Sequence, residues 1–150
     1  MNLTIQYVQS LPYIGSGVFS NVYDAGKYVI KVPMSFERRP TEVVQKETKS
    51  VVKKIKSLRK HAGNVVTETW WHRNGFIIQP KVSGLDFADL PQASQGSAAN
   101  SMERLFQKVY QKFDFWDVDE NHTNFFFHQS GKIKAWFDPV VPSEHNGIVW

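Results

Sequence analysis

The run WDVDENHTNFFF, Trp116 to Phe127, concentrates oxygen-bearing side chains at two chemically meaningful spacings. Asp117, Asp119 and Asn121 alternate as the first three ligands of a calcium-binding loop do. Asp119 also precedes Asn124 by five residues, the spacing at which a phosphoryl-transfer loop sets a catalytic carboxylate ahead of a metal-binding amide. The two chemistries make different demands on the rest of the chain. A calcium loop opening at Asp117 needs a glycine at its sixth position for the sharp turn and a bidentate glutamate at its twelfth. Those positions hold His122 and His128, so the calcium reading fails.

Phosphoryl transfer needs a glycine turn over the phosphates, a strand lysine, a glutamate to hold that lysine, and a second metal-binding aspartate. The stretch Ile14-Gly15-Ser16-Gly17-Val18-Phe19-Ser20-Asn21-Val22 offers the turn, with Val22 placed to pack against a purine. Lys31, in YVIKV, lies nine residues beyond Val22. Of the two glutamates that follow, Glu42 falls in an exposed first helical turn, where it would offset the helix dipole. Glu47 lies beside an apolar stripe and is the preferred partner of Lys31. Asn124 and Asp138 stand at the two open ends of an expected hairpin, where both could share a magnesium ion. Each piece has an ordinary reading as well: a hairpin turn, an edge-strand lysine, a boundary glutamate, and an Asp-Pro turn initiator. The order and spacing of all four favour the chemical one.

The elements that must position these residues follow from pattern. Tyr13-Ile14 reads as a strand entering the glycine turn, and Val22 to Val32 as a hairpin turning at Asp24-Ala25-Gly26. Val44, Thr48, Val51, Ile55 and Leu58 recur at four and three, which predicts a helix from Thr41 to about Lys60, with Thr41 as its N-cap. Asn64 to Trp71 and Phe76 to Gln79 read as strands joined through Asn74-Gly75, and Pro80 stops the second. Ser94 to Ser101 (SQGSAANS) reads as a polar connection. A second helix is expected from about Met102 to Phe113, with Met102, Leu105, Phe106, Val109, Tyr110 and Phe113 on one face. Short strands at Phe125–Phe127 and Lys132–Phe137 then flank a turn at His128 to Gly131. Strands and helices are segregated rather than alternating, so the expected class is α+β.

Composition sets outer bounds. At 150 residues, 41% hydrophobic and 14% aromatic, the chain suits one folded domain spanning 1–150. The absence of cysteine excludes disulfides, thiolate zinc sites and cysteine nucleophiles, and suits the cytoplasm. No signal peptide or membrane-length apolar run is visible. The five histidines, His61, His72, His122, His128 and His145, show no zinc-binding spacing. A net charge of +4 permits an acidic partner.

From Ile14 to Pro139 the chain resembles the protein kinase-like fold, through the glycine turn, Lys31, the following helix, and the Asp119–Asn124–Asp138 set. The resemblance implies a small antiparallel N-lobe sheet with one helix over about 1–80 and a truncated C-lobe over about 81–150. It implies ATP and Mg2+ as cofactors. The nucleotide would be held by Gly15, Ser16, Gly17, Val22 and Lys31, and by a hinge near Gln79 to Val82 that includes Gln79 and Lys81. Lys31, Glu47 and Asp119 take the catalytic roles, with Asn124 and Asp138 on the metal. Only twelve residues follow Asp138, so no activation segment or peptide platform is expected. The chain is in this respect similar to the minimal kinase-like proteins of phages and secreted bacterial effectors, which act in a host cytoplasm. The activity implied is γ-phosphoryl transfer to a protein, the chain itself included. The alternative is a catalytically weak or dead kinase-like module that sequesters or regulates a host protein. For that role Lys46, Lys49, Lys53, Lys56 and Lys60 supply a basic helix face, which reads more simply as a solvated surface. A nucleic-acid backbone is a weaker candidate for the same ridge, because no aromatics are interleaved with it.

Overall fold

The computed structural model describes residues 3–17, 19–34, 36–114 and 117–141. Trp116 and His145 therefore lie outside the described residues. The fold is a mixture of helices and antiparallel sheet, and the chain divides into two compact units. Among the described residues no helix is long and apolar enough to cross a membrane.

Unit 1 comprises described residues within 3–53 and 69–81. Its sheet has five strands: β1 (Tyr13–Ser16), β2 (Ser20–Asp24), β3 (Tyr28–Pro33), β4 (Trp70–His72) and β5 (Phe76–Pro80), in the order β1-β2-β3-β5-β4. The β2–β3 hairpin turns where Asp24-Ala25-Gly26 predicted, and the Asp24 carboxylate accepts the Gly26 amide at 2.9 Å. On β3 the period of two sends Ile30 and Val32 into a core with Leu3, Val8 and Phe76. That core recruits a short helix, α1 (Ile5–Gln9), for which the sequence showed no usable periodicity. Thr4 starts it, its hydroxyl accepting the Tyr7 amide at 3.1 Å.

The long helix α2 (Thr41–Ala62) buries Val44, Thr48, Val52, Ile55 and Leu58, close to the predicted stripe, with Val52 buried and Val51 only half-buried. Thr41 is its first helical residue and not its cap: the Pro40 carbonyl accepts the Val43 and Val44 amides at 3.0 and 3.2 Å. Proline suits this place, since a residue before the first turn donates no helical bond. Gly63, at φ +96°, ends the helix two residues later than expected, its amide bonding the Arg59 carbonyl at 2.8 Å. The predicted strand from Asn64 shrinks to Trp70–His72. Upstream, Val66 makes only an isolated parallel bridge to Trp136, and both lie in unit 2.

Unit 2 comprises 54–68 and 82–141. Its second helix, α3 (Gln92–Val109), begins ten residues before Met102, so the SQGSAANS segment is helical and not a connection. Small side chains serve packing here. A Cβ on Gly131 would fall on the Ser94 carbonyl and within 3.0 Å of the Ala98 nitrogen, so hairpin and helix backbones touch. Hydrophobic periodicity could not signal this, because the contact is made by backbone atoms. Met102, Leu105, Phe106, Val109, Tyr110 and Phe113 are all buried or half-buried, as their spacing predicts, although α3 ends at Val109 and Phe113 lies beyond it. The hairpin of β6 (Phe125–Phe127) and β7 (Ile133–Trp136) closes this core. Phe125 stacks on Trp136 at 5.0 Å between ring centroids, with Phe106 edge-on to both at 5.8 and 5.6 Å.

Candidate functional site

In unit 1 the pairing of β3 decides where Lys31 points. Lys31 lies opposite Val22 on β2 and opposite Ile77 on β5, and directly opposed residues share a face. That face is the reverse of the one carrying Ile30 and Val32. It also carries Trp71, the partner of Ile77 on β4. The Trp71 indole N–H donates to the Thr48 hydroxyl of α2 at 3.0 Å, so α2 packs on the lysine-bearing face. Lys31 is buried at 8% exposure, which removes the reading of a solvent-facing edge lysine. Glu47, half-buried, is the neighbour of fully buried Thr48 on this helix. Glu42 is exposed in the first turn, as its dipole-compensating reading requires.

The glycine turn joins β1 to β2, with Ser16 opposite Asn21 and the Gly17 amide on the Ser20 carbonyl at 2.9 Å. Gly15 sits at an irregularity in the β1 register. Neither Gly15 nor Gly17 has a positive φ, and a Cβ on either would meet nothing within 4 Å. Fold geometry therefore leaves open space beside both glycines. At the end of β5, Gln79 is buried and its side-chain amide donates to Thr69 Oγ1 at 3.0 Å. The Lys81 amide is bonded to the Lys27 carbonyl at 2.9 Å, and its ammonium meets Asp24 at 2.5 Å. The Lys81 hydrogen bond, followed by that of the Gly26 amide, holds the Asp24 carboxyl below its ordinary range.

In unit 2 the segment 117–124 folds against the open end of the β6–β7 hairpin through main-chain bonds. The Asp119 amide donates to the Pro139 carbonyl at 2.9 Å, and the Phe137 amide to the Asn124 carbonyl at 3.0 Å. The residues either side of Asp138 are thus tied to Asp119 and Asn124 themselves. A bridge between Val118 and Val140 and a bond from the Val141 amide to the Asp117 carbonyl, 3.1 Å, extend the same seam. The Asp119 carboxylate accepts the Asn121 amide at 3.0 Å, which orients it. Asn121 in turn caps a single 3-10 turn, His122–Asn124, by accepting the Thr123 amide at 3.1 Å. Asp117, for which spacing suggested only calcium, pairs with Lys54 of α2 at 3.0 Å. Lys54 precedes it by 63 residues, and no local pattern could have announced the pair.

Asn124 and Asp138, the residues expected on the metal, carry hard oxygen donors, the kind magnesium takes. Magnesium is ordinarily held by one or two carboxylates with substrate phosphates and water completing the shell. Among the described residues no group of three His, Cys, Asp or Glu side chains could hold a metal by itself. One carboxylate and one amide oxygen are chemically compatible with a magnesium ion whose shell phosphate and water would complete.

No protein-family model matches the chain, and no curated protein matches it. Among solved structures it is similar to the kinase-like aminoglycoside phosphotransferase APH(2'')-IIa in its ternary complex with streptomycin and ATP. The identity is 17% and the TM-score 0.46, over 77% of this chain and 42% of that one. This chain thus spans less than half the length of that protein, whose ligands are its own, and a likeness at this level establishes no shared family.

Proposed function

We propose that residues 1–150 act as one minimal ATP- and magnesium-dependent kinase-like domain that transfers a γ-phosphoryl group to a protein hydroxyl, its own included. The observation that carries the reading is the main-chain seam that ties Asp119 and Asn124 to the two neighbours of Asp138. It supports the reading because main-chain bonds hold the backbone of Asp119 and Asn124 against the neighbours of Asp138, across a span of 19 residues, at one end of one hairpin. Burial of Lys31 on the third strand, with α2 packed on its face, is the context a phosphate-binding lysine needs.

In this reading Lys31 neutralises charge on the α- and β-phosphates and Glu47 orients it. The β1–β2 turn lies over the phosphates, with Gly15, Ser16 and Gly17 offering backbone without side-chain bulk. Val22, Gln79 and Lys81 border the base. Asp119 accepts the proton of the attacking hydroxyl as its oxygen bonds to the γ-phosphorus and the bond to the β-phosphate bridging oxygen breaks, releasing ADP. Asn124 and Asp138 would hold magnesium, which when bound neutralises charge developing on the phosphate oxygens. Positioning and electrostatics supply the rate.

Radiolabel transfer from γ-labelled ATP tests this. Asp119→Ala is expected to lower incorporation by about 10²- to 10⁴-fold, with comparable losses for Lys31→Ala and Asp138→Ala. Variants that label as well as the parent chain would remove the enzyme reading. A second reading, a non-catalytic module that captures a host protein, is favoured by one observation. Lys46, Lys49, Lys53, Lys56 and Lys60 are all exposed on α2. It predicts partner capture that survives Asp138→Ala and weakens when Lys49, Lys53 and Lys56 are reversed to glutamate.

A further inference from the structure

Unit 2 holds a groove of about 580 Å³ that the phosphoryl-transfer reading does not use, within the usual range for small-molecule sites. One wall is a single stripe of α3. Ser97, Ser101, Arg104 and Lys108 follow one another at four, three and four residues, so they stand above one another on one helix face. Lys132, beside the β6–β7 turn, faces the groove as well, while Ala62 and Ile133 form a buried apolar floor. None of the lining side chains is acidic. Among the described residues, Arg104, Lys108 and Lys132 have no carboxylate partner. Arg104 and Lys108 also repel one another at four-residue spacing on the helix, a cost that a bound anion would relieve. The stripe is anchored, since the His61 ring N–H donates to the Lys108 carbonyl at 2.7 Å.

We propose that this groove binds a small organic phosphate: a phosphate monoester whose anionic group meets Arg104, Lys108 and Lys132 and whose apolar body rests on Ala62 and Ile133. Guanidinium is the side chain best shaped for bidentate contact with phosphate oxygens. The serine hydroxyls of Ser97 and Ser101 add neutral donors, and small side chains there keep the groove open. Three cations on the rim stand above an apolar floor. The inference does not depend on nucleotide binding by unit 1.

Phenyl phosphate is the probe, titrated into 15N-labelled full-length chain. Saturable amide shifts are expected over Ser97–Lys108 and Ser130–Ile133. Inorganic phosphate should bind about tenfold more weakly or worse. The double variant Arg104→Glu/Lys132→Glu should lose about tenfold or more in affinity. Ser101→Tyr, which fills the groove without changing charge, should lose a similar amount. Lys112→Glu, an exposed charge change outside the groove, should bind as the parent does. Equal affinity for phosphate and phenyl phosphate, unsaturable shifts over the whole basic surface, or unchanged binding by the double variant would each overturn the proposal. So would shifts confined to the β1–β2 turn and Lys31, which would instead support the nucleotide reading.

Discussion

Two glycine-bearing segments in this chain look alike in sequence, Gly15-Ser16-Gly17 at the end of β1 and Ser130-Gly131 between β6 and β7, yet the fold uses them differently. Gly131 adopts φ +89°, where an L side chain is strained, and its backbone lies against that of α3. Both conformation and packing forbid a side chain there. Gly15 and Gly17 meet neither condition, with ordinary φ and open space beside them. At Gly131 the fold demands glycine because two backbones touch. At Gly15 and Gly17 it makes no such demand, and the open space beside them is where the proposed function puts phosphate.

The difference can be broken most sharply at Gly131. Gly131→Ala is expected to destabilise the protein by about 3 kcal/mol, combining backbone strain with overpacking. Denaturant unfolding measures this, and an unchanged midpoint would mean that hairpin and α3 do not touch as described. Next in size, Ala98→Leu on the facing turn of α3, where Ala98 is fully buried, should cost about 1–3 kcal/mol. The paired substitutions Gly15→Ala and Gly17→Ala should change stability by less than about 0.5 kcal/mol. They should nonetheless diminish the thermal shift caused by ATP with magnesium. A large loss of stability in those variants would erase the contrast between the two turns.

The smallest effects come from pH and separate the units by sign. In unit 2 the Tyr110 hydroxyl donates to Glu120 at 2.5 Å, and burial first, then this bond, raises its ionisation above the ordinary tyrosine range. Its contribution is complete below about pH 10 and is lost as pH rises through the raised value. In unit 1 the depressed Asp24 behaves oppositely. Its pair with Lys81 contributes above the ordinary aspartate range and is lost as pH falls through the lowered value. Tyr110→Phe should flatten the alkaline limb of the stability profile and Lys81→Met the acid limb. Both changes should be small, since exposed pairs contribute little.

Much of the fold follows from local chemistry. The α2 stripe, the Asp24-Ala25-Gly26 and Asn74-Gly75 turns, and the Phe125–Phe127 strand are all set by interactions within a few residues. Periodicity and turn residues report such interactions directly. Residue types at fixed positions exclude a calcium loop, and residue type and spacing, with the family resemblance, nominate the oxygen donors of the candidate site. Where the short α1 and the SQGSAANS helix were missed, the stabilising partner is remote or is backbone. Val8 has its core neighbours on β3 and β5, and Ser94 and Ala98 have the main chain of Gly131.

The candidate site divides along the same line. Residue types and order, Lys31 before Glu47 before Asp119, Asn124 and Asp138, are properties of the sequence. That Lys31 is buried on the face α2 covers depends on strand pairing across 46 residues to Ile77. That Asp138 is seated between neighbours bonded to Asp119 and Asn124 depends on two main-chain hydrogen bonds. Asp117 acquires its role from Lys54, and the groove of α3 acquires its third cation from the hairpin. Sequence determines which groups are available and how each short segment folds, because those depend on near neighbours. Only tertiary structure decides which groups meet, because charge and hydrogen bonding act through space and not along the chain.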